Sequence, residues 1–136
     1  MVVIDRNTSH LAGEFLVAGE LSRRGYPVSI TMGNAKSVDI YAGTRGEVVK
    51  VDAKAGRSKG NWPITKDSIE EDTFYIFVFL QAKRGINRNL APEYFVAKGE
   101  ELLPSKIETW GTRQGVKYSS LNNKDFKDRW DKLPLP

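Results

Sequence analysis

Charged residues interrupt two otherwise apolar segments of this 136-residue chain. Asp39 stands within "SVDIYAG" (37–43), and Asp52 and Lys54 stand within "EVVKVDAKAG" (47–56). Segments this rich in Val, Ile and Ala favour β-strands. A charge in a strand is partly removed from water, which costs on the order of several kcal/mol unless something compensates it. Two carboxylates can bind a metal ion, and with a lysine beside them they can support metal-assisted hydrolysis of a phosphodiester.

The turn between the two segments predicts that the carboxylates meet. Centring the turn on Arg45 and Gly46 places Asp39 directly opposite Asp52, with Cβ atoms about 5 Å apart. Two carboxylates at that distance repel each other unless they share a proton or bind a cation. Lys54 lies on the same face as Asp52, since side chains alternate along a strand. A register shift of one residue would separate the two aspartates.

The predicted cation is Mg²⁺ or Mn²⁺, because both prefer hard oxygen ligands. Asp39 and Asp52 would supply carboxylate oxygens, and the backbone carbonyl of Ala53 would add a third oxygen. Lys54 would position the attacking water, help to deprotonate it, or stabilise charge developing on the phosphate. A simpler interpretation also stays open, in which Asp52 and Lys54 point to water together with Lys50.

The elements that must position these residues follow from the apolar periodicity. Residues 9–24 have apolar side chains at helical spacing, with Ser9 as the predicted N-cap and Gly25 at the C-terminal end. In the tail, Phe126 and Trp130 are one turn apart and predict an amphipathic C-terminal helix. A short helical turn is expected just before Pro104.

Five segments read as strands, and one of them is apolar throughout. The predicted strands are 27–31, 37–43, 47–55, 73–81 and 93–98. The run "FYIFVFL" (74–80) predicts a strand that is buried on both faces. Residues 56–72 are polar and predict a loop over one end of the sheet, with Trp62 anchoring it. The order of elements predicts one α/β (α+β) domain over residues 1–136, in which helices flank a mixed β-sheet.

Composition excludes several kinds of site. The chain has no cysteine, which excludes disulfides and thiolate-bound zinc, and His10 is its one histidine, which excludes sites with several imidazoles. The N-terminus has no signal-peptide pattern, and the longest apolar run is too short to span a bilayer as a helix. We therefore expect a cytoplasmic protein with no membrane partner.

Two stretches carry a resemblance to a known family. "GEFLVAGELSRRGYPVSI" (13–30) and "SVDIYA…GEVVKVDAKAG" (37–56) resemble the PD-(D/E)XK nuclease superfamily, which has the restriction-endonuclease-like fold. Glu14 matches the glutamate of the family's helix and Asp39 its first strand aspartate. Asp52, Ala53 and Lys54 match its acidic-x-Lys element. "DTFYIFVFL" and "EYFVAKGEEL" resemble later core strands of small members related to Holliday-junction resolvases.

The resemblance implies a restriction-endonuclease-like fold and a Mg²⁺-dependent DNA endonuclease. Asp39, Asp52 and the Ala53 carbonyl would hold the metal, and Glu14 would bind it or support the site. The alternative for Glu14 is an exposed helical glutamate. No proline precedes Asp39, and Asp52 stands where glutamate is more frequent in the family.

Basic residues in two polar loops would form a phosphate-binding rim, since lysine and arginine on loops hold the nucleic-acid backbone. For each of them ordinary solubilising charge is the alternative. They are Arg57, Lys59, Lys83, Arg84 and Arg88. The net charge of +4 permits DNA as a partner. The small size of the domain also suggests a homodimer. The competing function is a non-catalytic nucleic-acid-binding or protein-interaction module on the same fold.

Overall fold

The computed structural model describes residues 4–31, 39–82 and 90–136. It contains three α-helices and eight β-strands in these ranges, with 3₁₀ turns at Lys66–Ser68 and Trp130–Lys132. The helices are α1 (Arg6–Arg23), α2 (Gly99–Leu102) and α3 (Tyr118–Leu121). The strands are β1 (Val28–Ile30), β2 (Ile40–Gly43), β3 (Val48–Gly56), β4 (Asn61–Pro63), β5 (Phe74–Phe79), β6 (Glu93–Lys98), β7 (Glu108–Trp110) and β8 (Arg113–Lys117).

The strands form two sheets. The larger sheet has the order β1-β2-β3-β5-β6, in which β3 and β5 pair in parallel and the other neighbours are antiparallel. The smaller sheet has the order β4-β8-β7 and is antiparallel. The parallel pair needs a long crossover between β3 and β5, and that connection contains β4. The predicted mixed α+β fold, with a sheet as its core, is confirmed.

Helix α1 begins earlier than the apolar periodicity predicts. Asp5 is its N-cap, and Asp5 Oδ1 accepts a hydrogen bond of 2.7 Å from the Thr8 amide. The prediction that Ser9 is the N-cap is wrong. Ser9 is buried within the helix, and its hydroxyl donates a 2.8 Å hydrogen bond to the Asp5 carbonyl. The first turn is polar and therefore gives no periodic signal. Gly25 has φ of 98°, a left-handed conformation that suits glycine and ends the helix as predicted.

The larger sheet separates two apolar clusters. On one face, Val17 and Leu21 of α1 pack against Val51 of β3. On the other face, Phe77 and Phe95 pack against the smaller sheet and the short helices α2 and α3. All six residues of β5 are buried, which confirms the prediction of a strand covered on both faces.

Residues 56–72 form more than a loop. Trp62 is buried as predicted, and its indole Nε1 donates a 3.1 Å hydrogen bond to the Val78 carbonyl. It also lies in β4, which pairs with β8. The hairpin of β7 and β8 was not predicted from the sequence. Its strands are short and include Gly115, so neither carries a clear alternating pattern.

The predicted C-terminal helix is wrong. Residues 122–136 form turns, an isolated bridge between Phe95 and Lys127, and the 3₁₀ turn at Trp130–Lys132. Asp128 has φ of 54°, which no right-handed helix accommodates. Phe126 and Trp130 are both buried, but they belong to the two different apolar clusters. A helix would place both on one face, whereas this tail passes along the β6 edge and contributes to both sides of the sheet.

No helix within residues 4–31, 39–82 and 90–136 combines the length and the apolar character needed to cross a bilayer.

Candidate active site

The hairpin of β2 and β3 has the register that the sequence predicts. Ile40 pairs with Val51 and Tyr41 with Lys50, so the next position along the ladder brings Asp39 opposite Asp52. Asp39 directly precedes β2. Its backbone carbonyl accepts a 2.9 Å hydrogen bond from the Thr31 amide. The side chains of Asp39 and Asp52 are joined by a hydrogen bond, so the two predicted carboxylates do meet.

The Asp39 side chain also engages the backbone of β3. Its Oδ2 accepts a 2.8 Å hydrogen bond from the Ala53 amide. Within a strand, the N–H and C=O of one residue point to the same side. The Ala53 carbonyl therefore faces the edge of β3 that carries Asp39, where it was predicted to supply an oxygen ligand.

Asp52 is poorly solvated, with only 19% of its side chain exposed. This desolvation, together with the hydrogen bond to Asp39, raises the pKa of Asp52 from 3.8 to about 7. Lys54 opposes the change, since its Nζ lies 3.5 Å from Asp52 Oδ2. Near neutral pH the aspartate pair therefore retains a proton for part of the time. Two close carboxyl groups in this state form a site that a divalent cation would stabilise.

Helix α1 places Glu14 near the end of β3 that carries Ala55, but α1 packs on the face of the sheet opposite to Asp52 and Lys54. Gly13 lies so close to β3 that a Cβ built on it would be 2.6 Å from the Ala55 Cβ. Glu14 follows it directly and is 5% exposed, so it is not the exposed helical glutamate of the simpler interpretation. The described ranges contain no group of three or more His, Asp or Glu side chains placed to hold one metal ion. Glu14 as a metal ligand or support stays a prediction.

The fold was compared with known proteins. No family model matches the chain, and no curated protein sequence matches it. Among solved structures, the bacterial homing endonuclease I-Ssp6803I is similar, with a TM-score of 0.62 and 11% sequence identity. The match covers 94% of this chain and 90% of that one. The chain therefore shares its fold with that endonuclease. At this identity the likeness shows the fold alone, and the PD-(D/E)XK assignment stays a prediction.

Two of the predicted phosphate-binding residues are described, and both lie within three residues after the end of β3. Arg57 is exposed, and its guanidinium donates a 3.0 Å hydrogen bond to the Ile4 carbonyl. Lys59 is exposed, with its Nζ 5.4 Å from the ring centroid of Tyr118. These cations therefore lie at the end of the strand that carries Asp52 and Lys54. The other three predicted cations, Lys83, Arg84 and Arg88, lie outside the described residues.

Sequence reasoning missed one neighbour of the aspartate pair. Tyr75 on β5 pairs with Asp52 on β3, so the two side chains share a face of the sheet. Its hydroxyl accepts a 2.9 Å hydrogen bond from the Glu70 amide. Burial raises the pKa of Tyr75, and the negative charge of Asp52 adds to the effect. The sequence does show Tyr75 as the one hydroxyl-bearing residue within β5. That it lies beside Asp52 depends on the parallel pairing of β5 with β3, which the sequence does not reveal.

Proposed function

We propose that this protein is a Mg²⁺- or Mn²⁺-dependent endonuclease that hydrolyses phosphodiester bonds of DNA. The observation that carries the proposal is the contact between the Asp39 and Asp52 carboxyl groups, with Lys54 beside them. The endonuclease fold supports it, because the neighbouring structure is named a homing endonuclease. The net charge of +4 and the exposed cations after β3 favour a polyanionic substrate.

The donor set fits a hard divalent cation. Asp39 and Asp52 would supply carboxylate oxygens and Ala53 its carbonyl, which are ligands that suit Mg²⁺ and Mn²⁺. A cation bound there would supply positive charge to stabilise the scissile phosphate. The raised pKa of Asp52 also fits, because a cation would replace the shared proton as the compensating charge.

The remaining residues of the site have roles that their positions suggest. Lys54 would orient the attacking water and hold positive charge near the phosphate. Arg57 and Lys59 would hold the DNA backbone beside the end of β3. Asp52 would release its proton before the site is loaded, so cation binding should be tighter at about pH 8 than at about pH 6.

The test is isothermal calorimetry with Mg²⁺ and Mn²⁺, followed by plasmid cleavage, on wild-type protein and Asp52→Ala. Asp67→Ala is the matched control, because Asp67 is exposed in the 3₁₀ turn. Circular dichroism establishes that all three proteins are folded. We expect Asp52→Ala to lose cation binding and to lower cleavage by more than about 1,000-fold, which corresponds to about 4 kcal/mol of transition-state stabilisation.

Two outcomes would overturn the proposal. The first is cleavage by Asp52→Ala at the wild-type rate, which would place the chemistry elsewhere. The second is a folded wild-type protein that binds DNA equally with and without divalent cations and never cleaves it. That second result would instead favour the non-catalytic nucleic-acid-binding module.

A further inference from the structure

We infer that the outer surface of α1 binds a second copy of this chain. The surface, here called the α1 stripe, consists of Thr8, Leu11, Phe15, Gly19 and Ser22, which recur every three or four residues and are all exposed. Leu11 is 43% exposed and Phe15 is 55% exposed. These two large apolar side chains adjoin each other on one helix face and form a patch, whereas single exposed ones are ordinary on a protein surface.

The α1 stripe carries no charge, although 28% of the chain is charged. Of the exposed arginines of α1, Arg6 lies on the side of the helix opposite Phe15, and Arg23, one turn after Gly19, is paired with Glu20 at 2.6 Å. A surface without lysine or arginine does not suit nucleic acid, which binds through its phosphates. An uncharged surface does suit a second copy of a protein with a net charge of +4, because it keeps like charges away from the contact.

Gly19 indicates how closely a partner approaches. Glycine weakens the interior of a helix, so its position usually has a packing reason. Gly13 has one, because its missing Cβ makes room for Ala55. A Cβ built on Gly19 meets nothing within 4 Å, so no contact within the chain requires a glycine there. A helix packed against the stripe from outside would supply that reason.

The order of residues along the stripe makes it complementary to itself. Phe15 lies midway between Leu11, a large side chain, and Gly19, a gap. A two-fold axis passing beside Phe15 would pair two antiparallel α1 helices. It would place Leu11 of each copy over Gly19 of the other and bring the two Phe15 rings together. This is the reciprocal contact that a two-fold interface requires.

The two candidate active sites would lie on the outer sides of such a dimer. Helix α1 packs on the sheet face that contains Val51 and Ala53, whereas Asp52 and Lys54 alternate to the opposite face. Each copy would therefore meet its own segment of DNA, and cleavage would not require association. The inference consequently stands or falls independently of the proposed nuclease activity.

Sedimentation velocity across concentrations on the order of 1 to 100 µM tests the inference. One helix pair buries less than the roughly 1,600 Å² of a standard interface, so we expect a reversible dimer with Kd on the order of micromolar. Leu11→Glu should weaken it at least about tenfold. Leu135→Glu is the matched control, because Leu135 is a 64% exposed leucine outside the stripe and should leave the dimer unchanged.

Filling the gap provides a second test that does not depend on added charge. Gly19→Leu should prevent association while the monomer stays folded, because leucine is a better helix former than glycine. Exchanging the two residues, in the double variant Leu11→Gly with Gly19→Leu, should restore dimers. Circular dichroism on every variant separates loss of association from loss of the fold.

The inference is overturned if the wild-type protein stays monomeric over the whole concentration range. Binding of some other molecule to the α1 stripe would not change that conclusion. It is equally overturned if Leu11→Glu and Leu135→Glu behave alike, or if Gly19→Leu still dimerises. Plasmid cleavage by monomeric Leu11→Glu would confirm that the interface and the chemistry are separate.

Discussion

The two faces of strand β3 differ in almost every respect although they alternate along the same nine residues. One face carries Val49, Val51 and Ala53, which are buried against the α1 side of the sheet. The other carries Asp52 and Lys54, which are only partly covered. The first face contributes stability through burial of apolar surface. The second contributes little or costs stability, since partial burial of an aspartate disfavours its charged form.

The contrast shows how a short strand can hold a partly buried aspartate that costs folding free energy. Because side chains alternate, one strand is held rigidly by its apolar face while it presents charged groups on the other. The close contact of Gly13 with Ala55 fixes the strand from behind. The Asp39 carboxylate bonds the Ala53 amide from the side. The aspartate pair is therefore held in place by packing on the opposite face of the strand and by a backbone hydrogen bond.

The largest expected effect concerns the polar face. Lys54→Met should lower plasmid cleavage by about 10²- to 10⁴-fold, the usual contribution of a positioned acid–base group. Circular dichroism establishes that the variant is folded, which is needed because both side chains of the ion pair with Asp52 are less than one third exposed. Lys50→Met is the control, since Lys50 lies on the same face but pairs with Glu70. Equal losses of cleavage in Lys54→Met and Lys50→Met would mean that cleavage needs only the positive charge of this face and not Lys54 in particular.

The next effect is the stability cost of the aspartate pair without metal. In the folded protein the pKa of Asp52 is raised to about 7 from 3.8, so the folded state binds the proton more tightly. Stability is therefore greatest below the unfolded value and falls as the pH rises towards about 7. Asp52→Asn cannot ionise, and should be more stable than wild type by on the order of a few kcal/mol at about pH 8.

Urea unfolding in the presence of a chelator measures this difference. The advantage of Asp52→Asn should be clearly smaller at about pH 5, where the folded wild-type protein retains the proton. Asp67→Asn, at an exposed position, should show no advantage at either pH. An advantage of Asp52→Asn that is independent of pH would contradict the assignment of the raised pKa.

A smaller effect belongs to the apolar face. Gly13→Ala should destabilise the protein by about 1–3 kcal/mol, because the new methyl group overlaps Ala55 and forces α1 away from β3. Adding Ala55→Gly removes the overlapping methyl group and should recover part of the loss, as a double-mutant cycle by urea unfolding will measure. Additive losses in the free energy of unfolding would show that residues 13 and 55 are not in steric contact.

The smallest effect is expected on the outside of the same helix. Gly19→Ala should stabilise the protein by about 0.5–1 kcal/mol, since the new Cβ meets nothing within 4 Å and alanine favours the helix. Thermal unfolding at low concentration, where association is negligible, measures this gain. A loss of stability would mean that the two glycines of α1 are not as different as their surroundings indicate.

Local patterns predicted the elements around the site well. The hairpin register, the meeting of Asp39 with Asp52, and the fully buried β5 all follow from turn position and side-chain alternation. These signals are short-range, so they can be read within about 15 residues. The same reasoning failed at the start of α1, where Asp5 caps a polar first turn, and at Phe126 and Trp130, whose helical spacing did not produce a helix.

The sequence by itself determined which residues are charged, that the five segments of the larger sheet are strands, and which two carboxylates face each other. Only the tertiary structure decided how strongly Asp52 is desolvated, that Tyr75 lies beside it, and that the tail supplies Phe126 and Trp130 to opposite sides of the sheet. Desolvation and parallel pairing depend on segments that are distant along the chain. The free energies of desolvation and of strand pairing are therefore set only when those segments pack together.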